Sequence, residues 1–245
     1  MLADEYRQVS DISFMELEKI RKKMKNSLLV GGWAAYYLSN SRFKEWKKTD
    51  YMGSKDIDFG IRAEDLGSTA RKLKNLGYTP VNFRFYKIFD RESKKLISIE
   101  ASKKRPQFEL FYLYVDLILD KQVKMKTTFF SDPLLEYCLN NALWIEKDNL
   151  KIIAPEPFVL MKLRVLKNRN HEKRIKDILD CFFVLNFSDF NLKFFQELRE
   201  IYKLRNKENI AKIANSAQVS MELSGLRLDG DEIRNIKTSF LNILG

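Results

Sequence analysis

Histidine and cysteine are nearly absent from this chain, with one His and two Cys in 245 residues. His171 alone cannot build a zinc cluster, and it lies in a charged helix start rather than beside a nucleophile elbow, which leaves a Ser or Cys hydrolase little support. Cys138 and Cys181 sit in apolar stretches without metal-ligand spacing and read as buried, reduced thiols. No run approaches the roughly 20 apolar residues that a membrane-spanning helix requires. The opening Met1-Leu2-Ala3-Asp4-Glu5 lacks the basic, apolar and small-residue order of a signal peptide. A cytoplasmic protein without a membrane partner is expected.

What is present is hydrophobic content of 45%, with 13% of all residues aromatic, enough for one substantial domain or two modest ones. Lys and Arg number 44 against 33 Asp and Glu, a formal charge of +11. Such a balance favours polyanions, nucleic acid or nucleotides, although solubility or genome bias produces it too.

The informative stretch is Leu28 to Ile61. An apolar run ends in Gly31-Gly32-Trp33-Ala34, and a second carries Ser54-Lys55-Asp56-Ile57-Asp58-Phe59. On a strand Asp56 and Asp58 point to one side while Ile57 and Phe59 point to the core. Two carboxylates in one small volume repel unless a cation lies between them, and hard oxygen donors suit Mg²⁺ or Mn²⁺. Gly31 and Gly32, at the junction of a strand and a helix, let backbone N–H groups approach an anion. Together the halves imply a metal-bound polyphosphate. Ser54 or Lys55 would add phosphate contacts, although the spacing is not that of a Walker A loop. Downstream, Asp116 interrupts the apolar middle of the strongest strand, 108–119, where an unpaired carboxylate is expensive. A lysine or backbone donors would satisfy it, or it serves a site. Asp120 at the strand end is read as structural.

Ser13-x-x-Glu16 has the form of a capping box opening an amphipathic helix that ends near Asn26. A strand over 28–30 and a helix over 33–39 follow. Residues 39–53 mix cations with Phe43, Trp46 and Tyr51, which suits an exposed loop or short helix, its aromatics stacking on a base or pinning the segment to the core. A helix over 64–76 stops at Gly77, and 78–90 and 95–99 read as antiparallel strands. Ser131-Asp132-Pro133 starts a short helix, a hairpin turns at 147–149, and Pro155 and Pro157 mark a boundary. Helices are expected over 158–166, 171–185 and 190–202, with a last one after Asp229-x-x-Glu232. The organisation is therefore a domain over 1–154 and a helical domain over 155–245.

Val30-Gly31-Gly32-Trp33-Ala34 with Lys55-Asp56-Ile57-Asp58-Phe59 resembles the signature of the DNA polymerase β-like nucleotidyltransferase superfamily, nearest to AbiEii-type toxins and antibiotic (aminoglycoside or lincosamide) nucleotidyltransferases. The 23 residues between Gly32 and Asp56 exceed the usual spacing and imply an insertion around 42–52. Pro155-Glu156-Pro157-x4-Lys162, then Arg169 and Lys176-Asp177-x2-Asp180, resembles the C-terminal motifs of the same enzymes. The resemblance implies an α+β nucleotidyltransferase fold, a mixed sheet with flanking helices followed by a helical bundle. It further implies Asp56, Asp58 and Asp116 as catalytic and metal-binding residues for two Mg²⁺ or Mn²⁺ ions, with an NTP such as ATP as co-substrate. Gly31, Gly32, Ser54, Lys55, Lys162 and Asp177 would bind the nucleotide, though the spacing does not separate Asp177 from Asp180. The expected acceptor is RNA, including tRNA as in the toxin branch of toxin-antitoxin pairs; a small molecule or a protein hydroxyl are the alternatives. A non-catalytic nucleotide- or RNA-binding protein on the same fold is the reading from a different class.

Overall fold

Ser13 and Glu16 do not begin a helix. In the computed structural model, which describes residues 2–123 and 129–245, helix α1 spans Leu2–Arg21 and both residues are interior to it. They are buried, at 0% and 2% exposure. Ser13 Oγ accepts a 2.7 Å hydrogen bond from Trp33 Nε1. Glu16 accepts from Lys19 at 2.6 Å, Lys87 at 2.7 Å and Tyr78 Oη at 2.9 Å. The Ser-x-x-Glu spacing thus serves tertiary bonds rather than a cap.

The chain continues through β1 (Leu28–Val30), α2 (Gly31–Lys47) and β2 (Ile57–Ile61). Helix α2 runs well past the expected end at Ser39 and takes in most of the segment expected as an exposed loop or short helix. Then come α3 (Leu66–Asn75), closed near Gly77 at φ +84°, and strands β3 (Thr79–Val81), β4 (Arg84–Asp90) and β5 (Leu96–Ile97). A single turn α4 (Ile99–Ser102) leads to β6 (Leu110–Leu119) and β7 (Phe130–Ser131). Asp132 caps α5 (Pro133–Asn140) by accepting from the Leu134 N–H. The hairpin β8 (Trp144–Lys147) and β9 (Leu150–Ile153) turns on Asp148 and Asn149, both at positive φ as a tight two-residue turn requires.

These strands make one mixed sheet in the order β3-β4-β6-β2-β1-β9-β8, with β5 beside β4 and β7 beside β6. Strand β2 is parallel to β6 and antiparallel to β1, and β4 is antiparallel to β6. Along β6 burial alternates: Leu113, Val115, Leu117 and Leu119 are buried, and Tyr112, Tyr114 and Asp116 on the other face are half-buried. The protein is α+β, as the alternating and helical periods of the sequence indicate.

The remaining helices are α6 (Pro155–Val165), α7 (His171–Phe187), α8 (Leu192–Tyr202), α9 (Lys207–Ala214), α10 (Ala217–Gly225) and α11 (Gly230–Leu244). The expected Asp229/Glu232 capping box is complete at α11. Helices α9 and α10, of 8 and 9 residues, are not among the helices expected from the sequence. The chain divides into two compact units, one of Tyr6–Trp33 and Gly53–Ile152 and one of Met1–Glu5, Ala34–Met52 and Ile153–Gly245. The first holds the sheet. In the second, Phe43 is fully buried, its ring centroid 4.8 Å from Phe183 and 5.5 Å from Phe187. Of the two roles open to the aromatics of 39–53, Phe43 therefore pins the segment, while Trp46 stays 45% exposed. No described helix is long and apolar enough to cross a membrane.

Burial pushes the Glu16 carboxyl up, and its bonds to Lys19, Lys87 and Tyr78 more than offset this, so it is held below its ordinary value. The resulting stabilisation is complete above the unfolded carboxylate pKa of about 4.3 and is lost as pH falls through the lower folded value. Chemical denaturation of Glu16→Gln and the unaltered protein at pH 7 and pH 3 tests this. The stability gap at pH 7 should shrink at pH 3.

Candidate functional site

Four strands place one row of residues across the sheet. Arg84 of β4 lies opposite Asp116 of β6, Asp116 beside Asp58 of β2, and Asp58 opposite Val30 of β1, with Gly31 next in the chain. Adjacent strands are about 4.8 Å apart, so the row brings the parallel neighbours Asp58 and Asp116 side by side. Asp56 directly precedes β2. With Asp58 it flanks Ile57, which is 0% exposed, so the alternation read from the sequence holds.

Gly31 has φ +68°, and a Cβ there would lie 2.0 Å from Asp58 Oδ2. Only glycine fits, both for the left-handed backbone and for the carboxylate against its Cα. Strand β1 therefore hands over to α2 at a point where Asp58 and the first N–H groups of the helix adjoin. Helix N-termini carry unsatisfied donors and partial positive charge, which suits an anion there.

Arg84 is the residue that sequence reading missed. Its Nε donates to Asp116 Oδ1 at 2.5 Å and its Nη2 to Asp116 Oδ2 at 3.0 Å, a fork-to-fork pair, and Nη2 also reaches Asp56 Oδ2 at 3.4 Å. The guanidinium lies 4.0 Å from the centre of the Tyr114 ring. Burial works against its charge, but Asp116 above all, then Asp56 and Asp58, raise its pKa. The cation that two carboxylates demand is thus supplied by the chain itself. The signal lay in the alternation of β4, where a charge shares the face of Tyr86.

Oxygen is the only donor type that the side chains of Asp56, Asp58 and Asp116 offer. That donor chemistry fits a hard divalent cation. Among the described residues no group of three His, Cys, Asp or Glu side chains is gathered to hold one as the side chains stand. The remaining expected residues of this unit are near in sequence but differ in setting. Gly32 and Ser54 are buried, and Lys55 lays its ammonium 4.6 Å from the Tyr6 ring centre.

Lys162 and Asp177 belong to the other unit, where they bond each other at 2.5 Å. Lys162 also bonds Asp180 at 3.0 Å, and Asp180 further accepts from Lys176 and from Tyr51 Oη at 2.7 Å. Asp180 is fully buried, and although burial raises its pKa, the charges of Lys176 and Lys162 carry it below the ordinary value. Burial likewise depresses Lys162, and Asp177 and Asp180 reverse the effect; for Lys176 burial prevails and its pKa is lowered. Asp177 differs from Asp180, because its Oδ2 has no hydrogen-bond donor and only the Arg169 Nε ion-pair contact at 3.3 Å. The geometry gives Asp180 the structural part. Asp120 is structural too, accepting from the Ala63 N–H at 2.8 Å.

No family model matches this chain, and no curated protein matches it. A solved structure, the crystal structure of JHP933 from Helicobacter pylori, is similar over 98% of this chain and 90% of its own, at a TM-score of 0.44 and 12% identity. A likeness at that level carries no functional inference.

Gly31→Ala should lose about 1–2 kcal/mol from the backbone conformation alone, and more where the added Cβ displaces the Asp58 carboxylate; thermal unfolding reads the loss. Asp180→Asn should destabilise by about 3–5 kcal/mol, because it leaves two buried lysines short of a counter-charge. Asp177→Asn should cost less than half of that. Urea unfolding of the two variants compares them directly.

Proposed function

We propose that this protein is a metal-dependent nucleotidyltransferase that moves a nucleoside monophosphate from an NTP to an acceptor hydroxyl and releases pyrophosphate. The observation that carries the reading is the row Arg84, Asp116, Asp58 and Val30-Gly31, which joins two carboxylates, with Asp56 just before β2, to a glycine helix start. Oxygen-rich sites beside an anion-ready backbone suit a cation-bound polyphosphate and little else.

In this reading Asp56, Asp58 and Asp116 would hold Mg²⁺ or Mn²⁺. When bound, such ions neutralise the triphosphate and lower the pKa of the attacking hydroxyl. The backbone at Gly31 and Gly32 holds phosphate oxygens. Asp116 accepts the proton of the acceptor hydroxyl as its oxygen bonds the α-phosphorus and the bond to the β-phosphate oxygen breaks. Arg84 gives up contact with Asp116 as the carboxylate turns to this task and keeps its positive charge within reach of the phosphates. Positioning and charge stabilisation supply the rate, with no covalent intermediate. Ser54 and Lys55 would border the phosphates. The acceptor most consistent with the +11 charge is RNA, including tRNA, in the cytoplasm. A small hydroxylated molecule is the alternative acceptor.

One observation favours a second reading. Arg84 already satisfies both oxygens of Asp116, as a non-catalytic nucleotide- or RNA-binding protein on this fold would have it. Transfer of label from each α-labelled NTP to total RNA, with Mg²⁺ or Mn²⁺, separates the readings. The unaltered protein should label RNA, and Asp56→Ala/Asp58→Ala should lose at least about a thousandfold in rate. Metal-dependent pyrophosphate release with labelled small molecules instead of RNA would retain the chemistry and change the acceptor. Nucleotide binding that is indifferent to metal and to the carboxylates, without transfer, would establish the second reading.

A further inference from the structure

A cavity of about 400 Å³ lies within the helical unit, between the end of α6, the end of α8 and the start of α9. Its size falls in the range of small-ligand sites, roughly 300–1,000 Å³. Arg164, Lys167, Lys203 and Arg205 line it, and no acidic side chain does among the described residues. Lys167, Lys203 and Arg205 place like charges around one cavity, and an anion relieves their repulsion. Lys167, Lys203 and Arg205 have no carboxylate within ion-pair distance among the described residues, in contrast to Arg84, Lys162 and Lys176.

The rest of the lining is not that of a bare phosphate site. Tyr202 presents an aromatic ring, with the Arg164 guanidinium 5.6 Å from its centre. Asn206 and Asn209 add amides that both donate and accept, over an apolar floor that includes Leu163 and Ile210. Aromatic faces stack on bases, amides read base edges, and cations take phosphates.

The backbone at this place is strained. Lys203 has φ 44° and Asn206 has φ 60°, both left-handed, and the buried Leu204 between them anchors the turn. A left-handed lysine costs on the order of 1–2 kcal/mol, and here it accompanies two cations of the turn at the cavity wall. Asn206 precedes α9 without a side-chain bond to its first turn, so the N–H groups of that turn lack a side-chain cap from it. Strain at a turn that carries binding chemistry is a recurrent feature of ligand sites.

We infer that this cavity binds a phosphorylated nucleoside unit, with Lys167, Lys203, Arg205 and Arg164 on the phosphate and Tyr202 on the base. The unit comes from a free nucleotide or from one position of a single-stranded RNA. This inference concerns binding alone and does not rest on the carboxylate row.

The test uses the full chain and three ligands: inorganic pyrophosphate, ADP and a fluorescent ten-residue oligouridylate. Affinities are measured by calorimetry and fluorescence anisotropy for the unaltered protein, Lys167→Ala/Arg205→Ala, Tyr202→Leu and Lys22→Ala/Lys23→Ala. All four lysines and arginines changed are exposed, so folding is not at stake. The cavity double variant should bind ADP or RNA about tenfold or more weakly, and its log K against log salt slope for RNA should fall by about 1.4. The Lys22→Ala/Lys23→Ala control, which removes the same charge, should change little. Loss for both ADP and RNA points to a free nucleotide, loss for RNA alone to a strand position, and either supports the site. Tyr202→Leu should weaken ADP or RNA and leave pyrophosphate unchanged; no effect on any ligand would overturn the nucleoside assignment. Equal losses in the cavity variant and the control, or no binding of any ligand by the unaltered protein, would overturn the site. Asp56→Ala/Asp58→Ala should bind at the cavity as before, which keeps failure of catalysis distinct from failure of this inference.

Discussion

Carboxylates that share a sheet face repel, and the arrangement of the first unit follows from how that repulsion is relieved. Asp58 and Asp116 are in register on parallel strands, so neither can leave the other without breaking the pairing of β2 and β6. A cation must come from a neighbouring strand. Strand β4, antiparallel to β6, supplies it because its register sets Arg84 opposite Asp116. On the other flank, the missing side chain of Gly31 gives the Asp58 carboxylate its room. Strand order, register and one glycine thus act as a single device. An Arg fork pairs with both oxygens of one carboxylate and still reaches a second, which a lysine ammonium cannot do in one plane. The same contacts that stabilise this fold raise the energy needed to use the carboxylates for anything else.

Charge is handled differently in the helical unit. There the acids and bases are taken out of water, and desolvation is the largest single influence on Lys162, Lys176 and Asp180. Asp180 survives because two lysines and the Tyr51 hydroxyl reach it at once, and Tyr51 in turn stacks on Phe183 at 4.1 Å. Segment 34–52 is tied to α7 through this bond and through Phe43. Asp177 and Arg169 are the less satisfied members, with Arg169 Nε and Asp177 Oδ2 each lacking a hydrogen-bond partner. A phosphate oxygen near Lys162 would compete with carboxylates that already hold it. The asymmetry makes Asp177 the member that can yield.

Local signals were read from the sequence where local physics decides. The Asp132-Pro133 start, the Asp148-Asn149 turn, the glycine at 77 and the Asp229/Glu232 box each depend on a few neighbouring residues, and each stands as expected. The alternation of Asp56 and Asp58 about Ile57 belongs with them. Ser13 and Glu16 failed because a Ser-x-x-Glu spacing also fits a helix interior when distant partners exist, and Trp33, Tyr78 and Lys87 are distant in sequence. The extension of α2 to Lys47 rests on Phe43 meeting Phe183 and Phe187, again a long-range contact that overrides a charged, loop-like composition. Arg84 was illegible for the same reason, since its partner is fixed by strand register and not by spacing along the chain.

The surplus of basic residues takes on meaning once the pairings are known. Arg84 is committed to Asp116 and Asp56, Lys87 to Glu16, and Lys162 and Lys176 to Asp180. Charges so bound are screened by their partners and add little to a long-range field. A polyanion is drawn instead by cations that lack such partners, and composition alone does not say where these lie. The strained turn from Lys203 to Asn206 gathers two of them beside a tyrosine.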